Sequence, residues 1–452
     1  MTVRIDLTEW GEVGSTDARL KERSLDALAR AVAASLATGD RLIVTEHREG
    51  LAIQATSWVG RVRLGDLQIT VQPKIAPGTL LALVRYAYGL RDLSLLHPSQ
   101  YATGDRLFVD LLVAQLIDEV EELFGRGLHR RYEARTEVLA SPRGRLDFKT
   151  LARTAGQLTT GLPCVHHPRL ADNILNRALL AGLEHSAALA SDPVLRITAR
   201  RLSAQLAEDV ALVSPKRLDI AAAERAVSRL TQDYTPALTL IRLLLEGAGL
   251  SLSGDEDHLR VRGFLFDMNK FFQRLLSRFL QEFLPASYSL ADEHRLTEVM
   301  EYAPDQNPQR RRHPTPRPDF ALLRQGKPVQ FFDAKYRDLW ERNMPADMLY
   351  QLAIYAMLGG ASRTSVILYP ALGGMTVDQR INVRDALGGV PKGSVILRGV
   401  DLVRMQRAIE DHDIQDARLL VAELLDLSAA QRGQRWRCPP PPRGARARVM
   451  PT

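Results

Sequence analysis

The sequence predicts a multidomain α+β protein: a β-rich, barrel-like amino-terminal domain, a helical middle region and a carboxy-terminal α/β domain. Three observations carry that expectation. A chain of 452 residues outgrows one ordinary core and divides into two or three domains. Short apolar runs broken by glycine and aspartate fill residues 41–75, the pattern of strands and turns. Later the apolar spacing becomes helical, and past residue 318 strand-like and helix-like segments alternate. The expected divisions are 1–100 for a β-rich domain, 101–250 for a helical connector, 251–402 for the α/β domain, and 403–452 for a last helix and a basic tail.

Composition narrows the class. Hydrophobic residues at 45% and charged residues at 25% are the balance of a soluble globular protein, which argues against a disordered or fibrous chain. The net charge of +7 favours an anionic partner such as nucleic acid. An arginine-rich composition inherited from a GC-rich genome gives the same excess, so charge alone does not decide. The two cysteines, Cys164 and Cys438, are too few for a disulfide framework or a four-cysteine zinc site. Met1 to Glu12 lacks the apolar core of a signal peptide, and no run reaches the roughly 18 apolar residues of a membrane helix. The expected location is cytoplasmic, with no membrane association.

In chain order, Leu42-Ile43-Val44, Ala52 to Ala55, Trp58 to Val62 and Leu67 to Val71 read as strands of a small antiparallel sheet or barrel. Leu80 to Tyr88 and Leu107 to Phe124 carry helical spacing, and residues 170–250, rich in Ala, Leu, Arg and Glu, read as packed helices. The polar stretch Ser253 to Asp257 marks a boundary near Ser251. An amphipathic helix is expected from Phe264 onward, with Phe272, Leu276, Phe279 and Phe283 on one face. Strands are expected within residues 319–336, a helix from Pro345 to Leu358 and a strand from Thr364 to Leu368. Asp426 is the last acidic residue, and beyond it arginines sit among prolines and glycines, which reads as a disordered tail. There is no internal repeat.

The chemistry concentrates in Arg317-Pro318-Asp319-Phe320-Ala321-Leu322-Leu323 and Val329-Gln330-Phe331-Phe332-Asp333-Ala334-Lys335-Tyr336. These read as a β-hairpin. With Gln325-Gly326-Lys327 as its turn and Arg324 opposite Pro328, Asp319 faces Asp333. Opposed like charges repel, so a cation belongs between them. Asp333 and Lys335, two apart on a strand, project to the same side. Two hard carboxylate ligands suit Mg²⁺, which keeps waters and takes a substrate phosphate, with Mn²⁺ as the alternative ion. Two acids and a lysine then make a set for phosphodiester hydrolysis. A surface salt bridge is the bland reading of such a triplet. The apolar neighbours Phe320 to Leu323 and Phe331-Phe332 argue against it, because unpaired charge is costly in a central strand. Asp347, Gln351 and Tyr355 recur every four residues along the next helix, and Asn269 with Gln273 make a similar pair on the preceding one. Both sets are candidates to line the cleft, with a solvent boundary as the plainer alternative.

At these residues the sequence resembles the PD-(D/E)xK nucleases of restriction-endonuclease-like fold. Asp319 and Asp333 match the metal carboxylates, Lys335 the lysine, and Gln351 with Tyr355 the helix motif of the RecB-like branch. A broader resemblance is to the McrC family, carried by Trp58-Val59-Gly60, Gln72-Pro73-Lys74-Ile75, Arg126-Gly127-Leu128 with Tyr132, Arg143-Gly144-Arg145, Asp172-Asn173 with Asn176, and Phe266-Asp267-Met268-Asn269. It implies a magnesium-dependent endonuclease subunit of a GTP-dependent restriction system, with Asp319, Asp333, Lys335, Gln351 and Tyr355 catalytic and the two aspartates holding the metal. It also implies double-stranded DNA as substrate and a McrB-type AAA+ GTPase hexamer as partner, stimulated through the amino-terminal domain. Gln273 departs from the family's usual glutamate and adds no charge to the site. No G-x-x-x-x-G-K-[ST] loop is present, so no nucleotide is expected on this chain.

Other signals are weaker. Gln309-Arg310-Arg311-Arg312-His313 is either a DNA-phosphate contact or a solvated loop. Cys164, His166 and His167 fit no usual zinc spacing, and Trp10, Trp58, Trp340 and Trp436 are too scattered for a stacking platform. Two competing functions stand beside the nuclease: an adaptor that mainly binds and stimulates a GTPase, and a stand-alone repair nuclease.

Overall fold

A computed structural model describes residues 3–90, 108–153, 161–213, 219–248, 262–297, 299–303, 305–337, 339, 343–358, 363–371, 377–385, 387 and 389–427. The expected boundary near Ser251 and the basic tail lie outside the described residues.

The amino-terminal elements are β1 (Val3–Thr8), β2 (Glu12–Val13), α1 (Ala27–Thr38), β3 (Leu42–His47), β4 (Gly50–Ala55), β5 (Trp58–Leu64) and β6 (Leu67–Gln72). They form two sheets, not the one antiparallel sheet or barrel expected. One is the three-stranded β2-β4-β3. In the other, β1 lies parallel to β6, which needs a long crossover, and β2 to β5 with α1 provide it. The fourth strand of that sheet arrives from far along the chain: β12 (Arg262–Asp267) pairs antiparallel with β5. Their approach is close. A Cβ at Gly60 would lie 2.1 Å from the Phe264 carbonyl oxygen, and Gly60 adopts φ of +140°, which L side chains avoid. This gives the glycine of Trp58-Val59-Gly60 a physical reason.

The middle region holds α2 (Pro77–Tyr88), α3 (Phe108–Arg126), β7 (Arg131–Tyr132), β8 (Arg135–Leu139), β9 (Arg145–Leu146), α4 (Phe148–Arg153), β10 (Leu162–His166) and β11 (Arg169–Leu170). The helices α5 (Ile174–Leu189), α6 (Pro193–Ala207), α7 (Ile220–Arg225) and α8 (Thr235–Gly247) follow. The expected helices are there. The short strands β7 to β11 are a correction to the helical connecting region expected over residues 101–250, and β8 shows how a strand can escape notice. β8 is almost wholly exposed, so no buried face imposes an apolar alternation on its sequence.

From β12 the chain enters α9 (Met268–Phe283), β13 (Tyr288–Asp292), β14 (Phe320–Arg324), β15 (Lys327–Ala334), α10 (Ala346–Leu358), β16 (Thr364–Ala371), β17 (Gln379–Arg384), β18 (Pro391–Asp401), α11 (Leu402–Glu410) and α12 (Ile414–Leu424). The amphipathic helix expected from Phe264 starts four residues later, at Met268. Asp267 caps it, its carboxylate accepting from the Asn269 and Lys270 N–H groups. Phe264 and Phe266 lie instead on one side of a strand. The six-stranded sheet runs β13-β14-β15-β16-β18-β17. β13 to β15 form an antiparallel meander, and β15, β16 and β18 run parallel, with α10 crossing over between the first two. Strand alternation divides its residues between two layers. Phe320, Leu322, Phe332 and Ala334 join the core of α9 and the middle helices. Ala321, Phe331, Ile367 and Tyr369 pack with Leu352 and Tyr355 of α10.

Candidate functional site

Gln325 and Gly326 both take positive φ, +52° and +75°, so the hairpin closes in a tight two-residue turn that pairs Arg324 with Lys327. The expected three-residue turn, with Arg324 opposite Pro328, is therefore corrected. A bulge between Leu322 and Leu323 absorbs the difference, and from Leu322↔Gln330 to Phe320↔Phe332 the pairing is the expected one. One step further, Asp319 stands across from Asp333.

Asp319 Oδ2 accepts the Ala334 backbone N–H at 2.8 Å, and its Oδ1 accepts the Gln273 side-chain amide at 3.2 Å from α9. Asp333 is 1% exposed, in the centre of the sheet, where an uncompensated carboxylate would be costly. Its Oδ2 is buried and takes no hydrogen bond of good geometry, but Lys335 Nζ lies 2.9 Å away. The same ammonium is 3.9 Å from Asp319 Oδ2. Lys335 itself lies just past β15, its N–H donating to the Leu368 carbonyl at 3.0 Å. Burial, and then the charge of Asp333, push the Asp319 carboxyl up to about 7, against the pull of Lys335. Burial pulls the Lys335 ammonium down, but the two aspartates outweigh it and hold its pKa above the ordinary value.

On α10, packed against the face that carries Ala321 and Phe331, Tyr355 is 2% exposed and its hydroxyl accepts the Gln351 amide at 2.8 Å. Burial raises its phenol, and Asp333 and Asp319 add to the rise, so it lies within the field of both carboxylates. Asp347 is exposed on the first turn of the same helix. Asp319, Asp333, Lys335 and Tyr355 thus come together, with Gln351 attached through Tyr355 and Gln273 through Asp319.

The donor set suits one hard divalent ion. Two carboxylates that share one ammonium, Asp319 and Asp333, are the kind of oxygen ligands Mg²⁺ uses when waters and a substrate phosphate complete its shell. Among the described residues no group of three or more His, Cys, Asp and Glu forms a metal cluster. That includes Cys164, which is buried in β10, and His166, whose Nε2 sits 3.1 Å from Glu137.

Two residues here were not singled out from the sequence, Glu9 and Tyr336. The Tyr336 hydroxyl donates to Glu9 Oε1 at 3.2 Å. Its backbone N–H donates at 3.1 Å to Asn269, whose amide in turn donates to Ser57 Oγ at 2.7 Å. Asn269 was a candidate; Glu9 carried no local signal. Trp10 and Trp58 each pack locally under an arginine, Arg337 and Arg41. The run Gln309 to His313 is an exposed loop.

A family model described as McrBC 5-methylcytosine restriction system component matches residues 53–370. The chain belongs to this family. The matched span contains all five candidate catalytic residues and both halves of the β5–β12 junction. No curated protein matches the chain. Among solved structures, the chain is similar to one from Thermococcus gammatolerans described as a half-complex from a tetradecameric assembly of McrB AAA+ hexamers with bound McrC. Identity is 20% and the TM-score 0.62, over 94% of this chain and 100% of that one. At that identity the likeness is one of fold. A second structure, of the McrBC complex of the same organism, aligns at 19% identity and a TM-score of 0.42, over 61% of this chain and 87% of that one.

Proposed function

We propose that this member of the McrBC family is the DNA-cleaving subunit of a GTP-dependent restriction system: a magnesium-dependent endonuclease of the PD-(D/E)xK type acting on foreign or modified double-stranded DNA in the cytoplasm. The observation that carries the reading is the placement of Asp319, Asp333 and Lys335 within one ion pair network at the buried centre of a mixed sheet. A merely structural salt bridge has little reason to put two carboxylates and one ammonium there, since a single cation leaves one buried negative charge uncompensated.

Asp319 and Asp333 would hold the ion, and Mg²⁺ when bound polarises the scissile phosphate and makes an attacking water more acidic. The chain's own part is positioning and charge. Lys335 offers its ammonium beside both carboxylates, where it can bind a phosphate oxygen or orient the water. Tyr355, held by Gln351, presents a hydroxyl from α10, the helix packed on the face of the sheet that carries Ala321 and Phe331. The partner we infer is a McrB-type AAA+ GTPase hexamer, in keeping with the assembly of the similar solved structure.

One observation favours a second reading, the adaptor that stimulates a GTPase without cutting: Gln273 gives Asp319 an amide where a third carboxylate would strengthen a metal site. A single experiment separates the two. The chain is combined with its partner GTPase, GTP, Mg²⁺ and DNA containing 5-methylcytosine, as wild type and as Asp333→Ala. The nuclease reading expects cleavage to fall by more than about 100-fold in the variant with GTPase stimulation retained. Absence of cleavage by the wild type, with GTPase stimulation intact, hands the function to the adaptor.

A further inference from the structure

The nuclease reading leaves unexplained why Trp58-Val59-Gly60, Gln72-Pro73-Lys74 and Asp267-Met268-Asn269, far apart in sequence and away from the hairpin, meet beside it. Residues within or next to these runs, Ser57, Lys74 and Asn269, are tied directly or through Glu9 to Tyr336, the residue after Lys335. Tyr336 is 1% exposed, and its ring packs edge-on against Phe272 of α9, with centroids 5.9 Å apart. Its hydroxyl donates to Glu9 Oε1, and the same oxygen accepts the Lys74 backbone N–H at 3.0 Å. Its N–H is held by Asn269, which is tied to Ser57 by its amide, while the Met268 N–H reaches the Ser57 carbonyl at 3.1 Å. One residue further, the Arg337 guanidinium lies 5.1 Å from the centre of the Trp10 ring. Glu9 and Trp10 follow β1, Lys74 follows β6, and Ser57 precedes β5, so these ties come from one end of the amino-terminal sheet.

We propose that Glu9, Asn269 and Tyr336 are positioning residues for Lys335, through which the amino-terminal domain sets where the catalytic ammonium stands relative to Asp319 and Asp333. This rests on the nuclease reading of the site. The geometry is specific. Lys335 follows the last residue of β15, and the strand support its N–H keeps is the Leu368 carbonyl of β16. What fixes the segment beyond it is Tyr336. A hydroxyl anchored to a buried carboxylate from another domain, and an N–H anchored to a helix that is itself pinned to that domain, leave the segment one position. Without the anchors, Lys335 can rotate away from the carboxylates, and displacements of about 1 Å at a reacting group cost up to roughly 100-fold in rate. Burial pushes the Glu9 carboxyl up to about 7, which fits a group kept dry for its hydrogen bonds and not for solvent contact.

The test uses the full chain with its partner GTPase, GTP, Mg²⁺ and a plasmid carrying 5-methylcytosine. Tyr336→Phe keeps the ring and removes the donor; Glu9→Leu removes the acceptor; Glu9→Gln keeps an acceptor oxygen. The expected result is a kcat for cleavage lowered by about 10- to 100-fold in Tyr336→Phe and in Glu9→Leu, with KM for DNA and stimulation of GTP hydrolysis unchanged. The double variant should be no slower than the slower single, because both remove one hydrogen bond, and Glu9→Gln should recover most of the rate lost in Glu9→Leu. Wild-type kcat in Tyr336→Phe and Glu9→Leu overturns the proposal, and so does a parallel loss of cleavage and GTPase stimulation, which marks a general folding defect. Asp333→Ala, run alongside, keeps the two ideas apart. If it is inactive while Tyr336→Phe and Glu9→Leu cut normally, the anchoring fails and the nuclease stands. Should Asp333→Ala cut like wild type, both fall.

Discussion

Glu9 concentrates the physical tension of this molecule in one side chain. It is 1% exposed, and burial raises its carboxyl to about 7, with the Lys74 N–H and the Tyr336 hydroxyl pulling it partway back. The sign of the consequence follows from proton counting. Between the unfolded value near 4.5 and the folded value near 7, the folded chain holds a proton that the unfolded chain has released. Stability contributed by this group is therefore present below pH 4.5 and lost as pH rises to 7 and beyond, by up to about 3 kcal/mol. Glu9→Gln should remove that loss: urea unfolding at pH 8 should show the variant more stable than wild type, and at pH 5 the two should converge. A gap that is the same at both pH values would show that Glu9 ionises normally. At this scale the candidate aspartates and lysine were legible because they lie close together, within residues 319–335, among the continuous apolar residues of two central strands. Glu9 was not. Its bond to Tyr336 spans 327 positions, and no periodicity connects such a pair.

At the scale of elements, register was easier to read than turns. The apolar residues of β14 and β15 must face their layers, which fixes the pairing at Phe320↔Phe332 whatever the turn does. The turn is a local matter of backbone conformation, and a bulge can reconcile a two-residue turn with the register the core demands. The β5–β12 pair was illegible for the opposite reason: the partner strand lies about 200 positions away and its phenylalanines resemble the start of the helix that follows. Once paired, the two strands leave room only for glycine. Gly60→Ala puts a methyl group against the Phe264 carbonyl and forces alanine into φ of +140°, so the variant should lose about 1–3 kcal/mol or more of stability. Gly78→Ala, in an open position on the first turn of α2, is the control and should cost nothing measurable. Equal melting temperatures for the two variants would mean that β12 can shift away from β5 without penalty.

For the whole molecule, the decisive feature is how the cores are shared. The division expected between a helical connector and an α/β domain is not a division of packing. One continuous apolar cluster holds Leu112 of α3, Leu180 of α5, Leu240 of α8, Phe272 of α9, Phe332 of β15 and Leu420 of α12. Its reach was hidden because each helix shows an apolar face in sequence without showing which element covers it. The amino-terminal sheet keeps a separate cluster around Ile5, Val62 and Ile69, and β12 joins the two: Leu265 enters the amino-terminal core while Phe264 and Phe266, on the other side of the same strand, enter the large one. Cooperativity follows from shared burial, since an element cannot leave without exposing its partner's apolar surface. The middle helices and the six-stranded sheet should therefore unfold together. In calorimetry, a destabilising change at one end of the large cluster, Leu180→Ala in α5, should lower the melting temperature of the same transition that carries the sheet, reported by near-ultraviolet dichroism of Tyr336, Tyr355 and Tyr369. Because Tyr336 and Tyr355 border Lys335 and the carboxylates, cleavage should be lost at that lowered temperature as well. A helical transition that moves while the tyrosine signal and cleavage stay in place would make the sheet an independent domain, held to the rest of the chain through the amino-terminal anchors on Tyr336 and not through a common core.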